Sequence, residues 1–154
     1  MGTNAGEVST TLSGLDYFER LLQGDLPLPT ICATIPMSLG SAEYGRVVWQ
    51  GLASDQLLNP MGSVHAGFAM TLLDSCMSCA VHSTLPAGVS YTTLEVKTNL
   101  VKAITLDTGP VSAEGNIIKV GRRVGTAEGR LMDKQGAVYA FGTATCLILG
   151  GVTD

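Results

Sequence analysis

The sequence predicts an α+β domain in which one long buried helix is wrapped by five or six antiparallel strands. Three observations carry this reading. An apolar run from about residue 65 to 82 is long enough for a core helix, and Asp74 is its only formally charged side chain. Residues 90–101 alternate, with Leu94, Val96 and Leu100 on one face and Glu95, Lys97 and Asn99 on the other, as in a strand wet on one side. The remaining C-terminal half divides into further strand-like runs separated by turn residues.

Taken in order, Ser13 caps a short helix with Asp16 three residues on in capping-box fashion. Leu15, Phe18, Leu21 and Leu22 share a face, and Gly24 stops the helix. Pro27, Pro29 and Pro36 mark an extended crossing before a hairpin of residues 37–42 and 45–52, with Val47 and Trp49 on one face of the second strand. Residues 55–58 form one helical turn, and Pro60 and Gly62 break the chain ahead of the central helix. Residues 111–120 and 123–132 are strands, the second presenting Gly125, Ala127 and Gly129 on one face so that a helix can approach closely. Asp133-Lys-Gln-Gly136 is a hairpin turn leading into a last strand, 137–149.

The 154 residues suit one domain over 13–154, preceded by a Gly/Thr/Ser-rich segment, 1–12, that reads as a mobile tail rather than a targeting signal. A net charge of −4, with Lys and Arg adjacent only at Arg122-Arg123, excludes electrostatic capture of nucleic acid. The central run carries Asp74, His65 and several Gly, Ser and Thr residues, which fits a buried soluble helix better than a membrane span. Four scattered cysteines suit reduced core thiols and a cytoplasmic setting. Cys76 and Cys79 form a Cys-x-x-Cys, but mid-helix, with only His82 nearby as a further ligand type, they read as core packing; no metal is expected.

Asp74 poses the chemical question, because a carboxylate in an apolar run is either satisfied by the fold or kept for reaction. The N–H groups of Ala66 and Gly67 fall in the first turn of the helix, where free amides and the helix dipole favour an oxyanion. On one straight helix Ala66 and Asp74 are separated by about 12 Å along the axis, too far to touch one carbonyl. Two such helices packed antiparallel across a twofold would bring the first turn of one to the middle of the other, giving two identical composite sites.

Asn59-Pro-Met-Gly-x-Val-His65-x-Gly67, Asp nine residues after the histidine, and the strand Tyr91-Thr-Thr-Leu-Glu-Val-Lys-Thr-Asn99 together resemble the hotdog-fold acyl-CoA thioesterases. The resemblance runs from about residue 38 to 149, nearest to the phenylacetate-pathway and 4-hydroxybenzoyl-CoA thioesterase branch. It implies a hotdog fold, hydrolysis of an aryl or medium-chain acyl-CoA without a cofactor beyond the CoA of the substrate, and a homodimer with shared sites that assembles into a homotetramer. It further implies that Asp74 is nucleophile or general base, that the Ala66 amide polarises the thioester carbonyl, and that Asn59 helps hold carbonyl or water. His65 would be a positioning group, and Ser78 with Ser90 or Thr92 would orient the carboxylate or water. Arg122 and Arg123 would lie near the CoA phosphates. Two departures stand out: the usual His-Gly-Gly is His65-Ala66-Gly67, and no proline follows the strand ending at Asn99-Leu100. A backbone donor survives the first change, which bears on acyl size rather than on the reaction. Non-catalytic acyl-CoA binding or sensing, and a hotdog hydratase or dehydratase, are the alternatives, separated by whether thiol is released.

Overall fold

The computed structural model describes residues 11–150, so residues 1–10 of the expected tail and the last four residues lie outside the described residues. Helix α1, Gly14–Gln23, begins at Ser13, whose hydroxyl accepts from the Asp16 N–H at 3.2 Å and donates to the Asp16 carboxylate at 2.6 Å. Gly24 ends it in the left-handed conformation. Its buried face is Gly14, Tyr17, Phe18 and Leu21, while Leu22, expected on that face, is 44% exposed. Tyr17 completes the i, i+3, i+4, i+7 spacing of that face in its place.

The proline-punctuated crossing contains a helical turn that the sequence reading did not anticipate, α2, Ile31–Thr34. Pro29 stands ahead of this turn, where a missing N–H costs nothing, and its carbonyl accepts from Cys32 at 2.9 Å. Strands β1, Met37–Glu43, and β2, Arg46–Gly51, then form the expected hairpin, with Val47 and Trp49 buried together. A 3-10 turn at Asp55–Leu57 leads to the central helix α3, Ala66–His82. Strands β3, Ser90–Leu100, β4, Val111–Val120, β5, Val124–Asp133, and β6, Val138–Leu149, complete a six-stranded antiparallel sheet ordered β1-β2-β4-β5-β6-β3.

Helix α3 lies across this sheet because it is apolar on nearly every side. Phe68, Leu72, Leu73, Met77 and Val81 are fully buried, each worth roughly 1.5–3 kcal/mol of transfer free energy. The close approach depends on small residues in the sheet. Gly125 lies under Val81 and Gly129 under Met77, as expected of that face, and any side chain at Gly115 would strike the backbone carbonyl of Cys76. One stripe of α3 is left uncovered by the sheet: Met70 is exposed, and Gly67, Thr71, Asp74 and Ser75 are half-buried. Within the chain β3 pairs only with β6, so its other edge carries unpaired backbone groups.

Strand β3 departs from simple alternation. Thr93 pairs with Cys146 and Glu95 with Thr145, leaving Leu94 as a bulge between them. The bulge shifts the phase of the strand, so Leu94, expected with Val96 on the core face, is 59% exposed, and Leu100 is half exposed at the strand end. Tyr91 and Thr93 reach the helix from one side of the bulge and Val96 packs on the core from the other. At the far end of the sheet the β5–β6 turn closes as expected: the Asp133 carboxylate accepts from the Gln135 and Ala137 amides at 2.9 Å each, and Gly136 supplies a φ of 83°.

His82 closes the C-terminal end of α3 and anchors α1. Its ring is buried against Tyr17, Phe18 and Tyr91, with centroids 5.6, 5.2 and 5.1 Å away. Burial pushes its pKa down to about 4. The folded value thus lies below the unfolded one of about 6.5, so the unfolded chain takes up the proton first and stability is lost as pH falls from about 6.5 to about 4. His82→Phe, which keeps the aromatic contacts without the titration, should show a smaller fall in Tm across that interval than wild type. An equal fall in both proteins would place the acid-sensitive group elsewhere.

Candidate active site

The loop ahead of α3 is organised by Asn59. Its Oδ1 accepts from the Met61 and Ser63 amides at 2.9 and 3.3 Å, and its Nδ2 donates to Ser63 Oγ at 2.8 Å. Most of the side chain's bonding capacity therefore shapes the loop, leaving one amide proton for a ligand. The Leu58–Val64 bridge, a bond from His65 N–H to the Leu57 carbonyl at 2.7 Å and one from Val64 N–H to the Ile104 carbonyl at 2.9 Å set the entry into the helix.

His65 is the N-cap, with φ −59° and ψ 136°. Its Nδ1 accepts from the Gly67 N–H at 2.9 Å, which requires a ring carrying no proton on Nδ1. The bond settles which first-turn amide is available. Of the two N–H groups expected to face an oxyanion, that of Gly67 is occupied by His65, whereas that of Ala66 has no acceptor among the described residues. Beside it lies an open cavity of about 390 Å³, walled on one side by Asn59, Ser63, Val64, His65, Ala66 and Ala69 and on the other by residues 100–104 at and beyond the end of β3. Asn59, His65 and Ala66 thus line one hollow. Asp74 does not.

Asp74 sits two turns further along α3, half-buried, and Thr93 Oγ1 donates to its carboxylate at 3.1 Å. Burial raises its pKa above the ordinary carboxylate value, and the Thr93 bond pulls the other way. The strand hydroxyl that meets Asp74 is therefore Thr93 rather than Ser90 or Thr92. Ser90 approaches only the Leu149 carbonyl, at 3.5 Å, and Thr92 is exposed on the other side of the strand. Tyr91 is the signal that could have found it, since a bulky aromatic sets the inward face and Thr93 is the next residue on it. Ser78 is buried one turn beyond Asp74; its hydroxyl lies 3.5 Å from the Ser75 carbonyl of its own helix and also meets the Tyr91 hydroxyl on β3.

Arg122 and Arg123 are exposed in the β4–β5 turn, next to the strand start at Gly125 that meets Val81. From Ala66 to Val81 is about 22 Å of helix, so the two arginines stand at the opposite end of α3 from the cavity. Cys76 and Cys79 are free and buried; burial pushes the Cys79 thiol up to about 12 and that of Cys76 higher still, which leaves them inert as ligands or nucleophiles. Among the described residues no cluster of three or more His, Cys, Asp or Glu side chains could hold a metal ion, and no helix is long and apolar enough to cross a membrane.

Comparison with known proteins follows the same lines. The family model described as the thioesterase superfamily matches residues 61–140, from the loop before α3 to the start of β6. A provisionally named esterase of Halobacterium salinarum is 36% identical over 67 residues, 44% of this chain and 44% of that protein, so the match spans under half the length of this curated relative. The crystal structure of a phenylacetic acid degradation-related protein from Ralstonia eutropha JMP134 is 28% identical, with a TM-score of 0.77 over 85% of this chain and 98% of that one. A Streptococcus mutans protein solved with acetyl CoA bound shares the fold, at 24% identity and a TM-score of 0.67, over 76% of this chain and 91% of that one.

Proposed function

Because the chain belongs to the thioesterase superfamily, we propose that it hydrolyses an acyl-CoA thioester to the free acid and CoA, in composite sites shared by two copies. The observation that carries this reading is the separation of two complementary groups along one uncovered stripe. The Ala66 N–H is an unpaired donor at a helix N-terminus, Asp74 is a half-buried carboxylate with a raised pKa, and about 12 Å of helix lies between them. A second copy, laid antiparallel along that stripe and continuing the sheet at the β3 edge, places the Ala66 amide of one helix near Asp74 of the other. Asp74 then takes a proton from water as it adds to the thioester carbonyl, the Ala66 amide stabilises the oxyanion, and as the C–S bond breaks Asp74 returns that proton to the departing sulfur, which leaves as the thiol. Thr93 holds the carboxylate, and His65 keeps the first turn in shape by capping Gly67.

The acyl carrier is inferred to be CoA from the family and from the acetyl CoA bound by the Streptococcus mutans protein. In the antiparallel arrangement the β4–β5 turn of one copy approaches the helix start of the other, which brings Arg122 and Arg123 within range of the phosphates. The test is thiol release from a panel of aryl and aliphatic CoA thioesters by the purified protein. Turnover of at least one is expected, with a double Arg122→Ala, Arg123→Ala variant showing a KM raised for CoA thioesters well beyond any change for the matching pantetheine thioesters. Binding without thiol release across the panel would overturn the hydrolase reading in favour of a binding protein. Equal KM effects on both carriers would remove the arginines from the phosphate site.

A further inference from the structure

The face of the sheet turned away from α3 takes no part in the site. Gly129, in the middle of β5, lies under Met77, so its strand neighbours Glu128 and Arg130 both point outward, where both are exposed. Across the sheet Glu128 pairs with Asn116 and Thr143, and Arg130 with Glu114 and Phe141. No cross-strand neighbour supplies a counter-ion. Glu114 is already bound to Arg46 at 2.7 Å and to the Asn116 amide at 3.1 Å, and among the described residues both ion pairs belong to Arg46. Glu128 and Arg130 therefore stand as an unpaired acid and an unpaired base on one face of one strand, about 7 Å apart along it. A crevice runs along each side of them, about 220 Å³ toward β4 and about 300 Å³ toward β6, and Phe141 is exposed on the wall of the second.

We infer that this face docks the same face of a second copy, back to back, with β5 crossing β5 antiparallel over Gly129 so that Glu128 of each copy meets Arg130 of the other. A small anion or cation would satisfy one of the two charges, whereas a second copy satisfies both. The charges also decide the sense of docking. Two identical faces related by a twofold have two simple orientations, with the axis along the strands or across them in the plane between the sheets. An axis along β5 sets Glu128 on Glu128 and Arg130 on Arg130, which is repulsive. An axis across the strands at Gly129 exchanges the two positions and forms both ion pairs at once. The same operation puts Asn116 opposite Glu114, Lys97 opposite Asn99 and Phe141 opposite Thr143, so no like charges face each other. Packed sheets lie within about 30° of alignment, so the match is closest at the centre, where Glu128 and Arg130 are. This face lies on the opposite side of the sheet from Ala66 and Asp74. The axis continues across β6 and β3 to the edge where the proposed shared-site dimer adds its partner, and by crossing that dimer's own twofold it closes the assembly at four chains.

The test reads the oligomeric mass of the purified full chain by light scattering. Wild type should have the mass of four chains of 16.0 kDa. Arg130→Glu makes the face acidic at both positions and Glu128→Arg makes it basic at both; each should weaken back-to-back association by at least about a hundredfold and halve the mass. Two further samples separate lost complementarity from lost folding. One is the double variant Glu128→Arg, Arg130→Glu, which exchanges the charges, and the other is an equimolar mixture of the two single variants, whose faces complement each other. Both should regain the wild-type mass. Single variants of wild-type mass, or halved masses that neither the double variant nor the mixture restores, would overturn the proposal. A wild type of two chains that falls to one, with the same rescue, would keep this face and count instead against the shared-site dimer.

Discussion

Asp74→Asn is expected to lower kcat by about 10² to 10⁴ while leaving the fold and substrate binding largely intact, because the amide preserves shape and loses only the base. The wild-type rate should rise with pH through a midpoint above the ordinary carboxylate range, since burial makes the carboxylate harder to form and only the ionised group accepts a proton. Stability should move the other way. A carboxyl with a folded pKa above its unfolded one contributes stability that is full below the unfolded value and is lost as pH rises through the folded value. Asparagine does not titrate, so the Tm of the variant relative to wild type should improve from acid to neutral pH, provided the side-chain oxygen still accepts from Thr93. Near-normal turnover would remove Asp74 from the mechanism. A Tm well below wild type at neutral pH would show that its role is structural.

What could be read from the sequence was local. Ser13 and Gly24 at the ends of α1, the Asp133–Gly136 turn and the apolar run of α3 each rest on residues within a few positions of one another, and their reasons are written in short patterns. The small face at Gly125, Ala127 and Gly129 was legible for the same reason, because it only required something bulky to lie opposite. Meetings between distant side chains were not legible. The bulge at Leu94 changes which side of β3 faces the helix, and a strict alternation carried through it put Leu94 on the wrong face. Thr93 meets Asp74, whereas Ser90 and Thr92, the hydroxyls that the resemblance implies, lie on the other side of the strand. The His65–Gly67 bond divides two amides that are equivalent in sequence, and residues 100–104 line the cavity only because the chain there folds back against the start of α3. Each depends on long-range geometry that no short pattern encodes.

The second large effect is expected from Ala66→Pro, which deletes the oxyanion donor and little else. Ala66 is the first residue of α3, where proline is tolerated because its missing N–H would have no helical partner. His65 already holds the extended ψ of 136° that a following proline demands. Loss of this one donor should reduce kcat by about 10² to 10³, with the helix content of wild type, whereas Ala66→Gly, which keeps the N–H, should remain active. Normal turnover by Ala66→Pro would move the oxyanion contact elsewhere, to Asn59 in the first instance.

The shared site is tested most directly by combining the two lesions. Ala66→Pro and Asp74→Asn homodimers, each nearly inactive, are mixed, denatured and refolded together, and formation of mixed dimers is verified by a mass-distinguishable tag. Random pairing makes about half the dimers mixed, and each of these holds one doubly damaged site and one intact site built from the Ala66 amide of one chain and Asp74 of the other. Activity should recover to about a quarter of wild type. If both groups served a site within their own chain, every site in the mixture would carry one lesion, and a verified mixture no more active than its two parents would contradict the shared site.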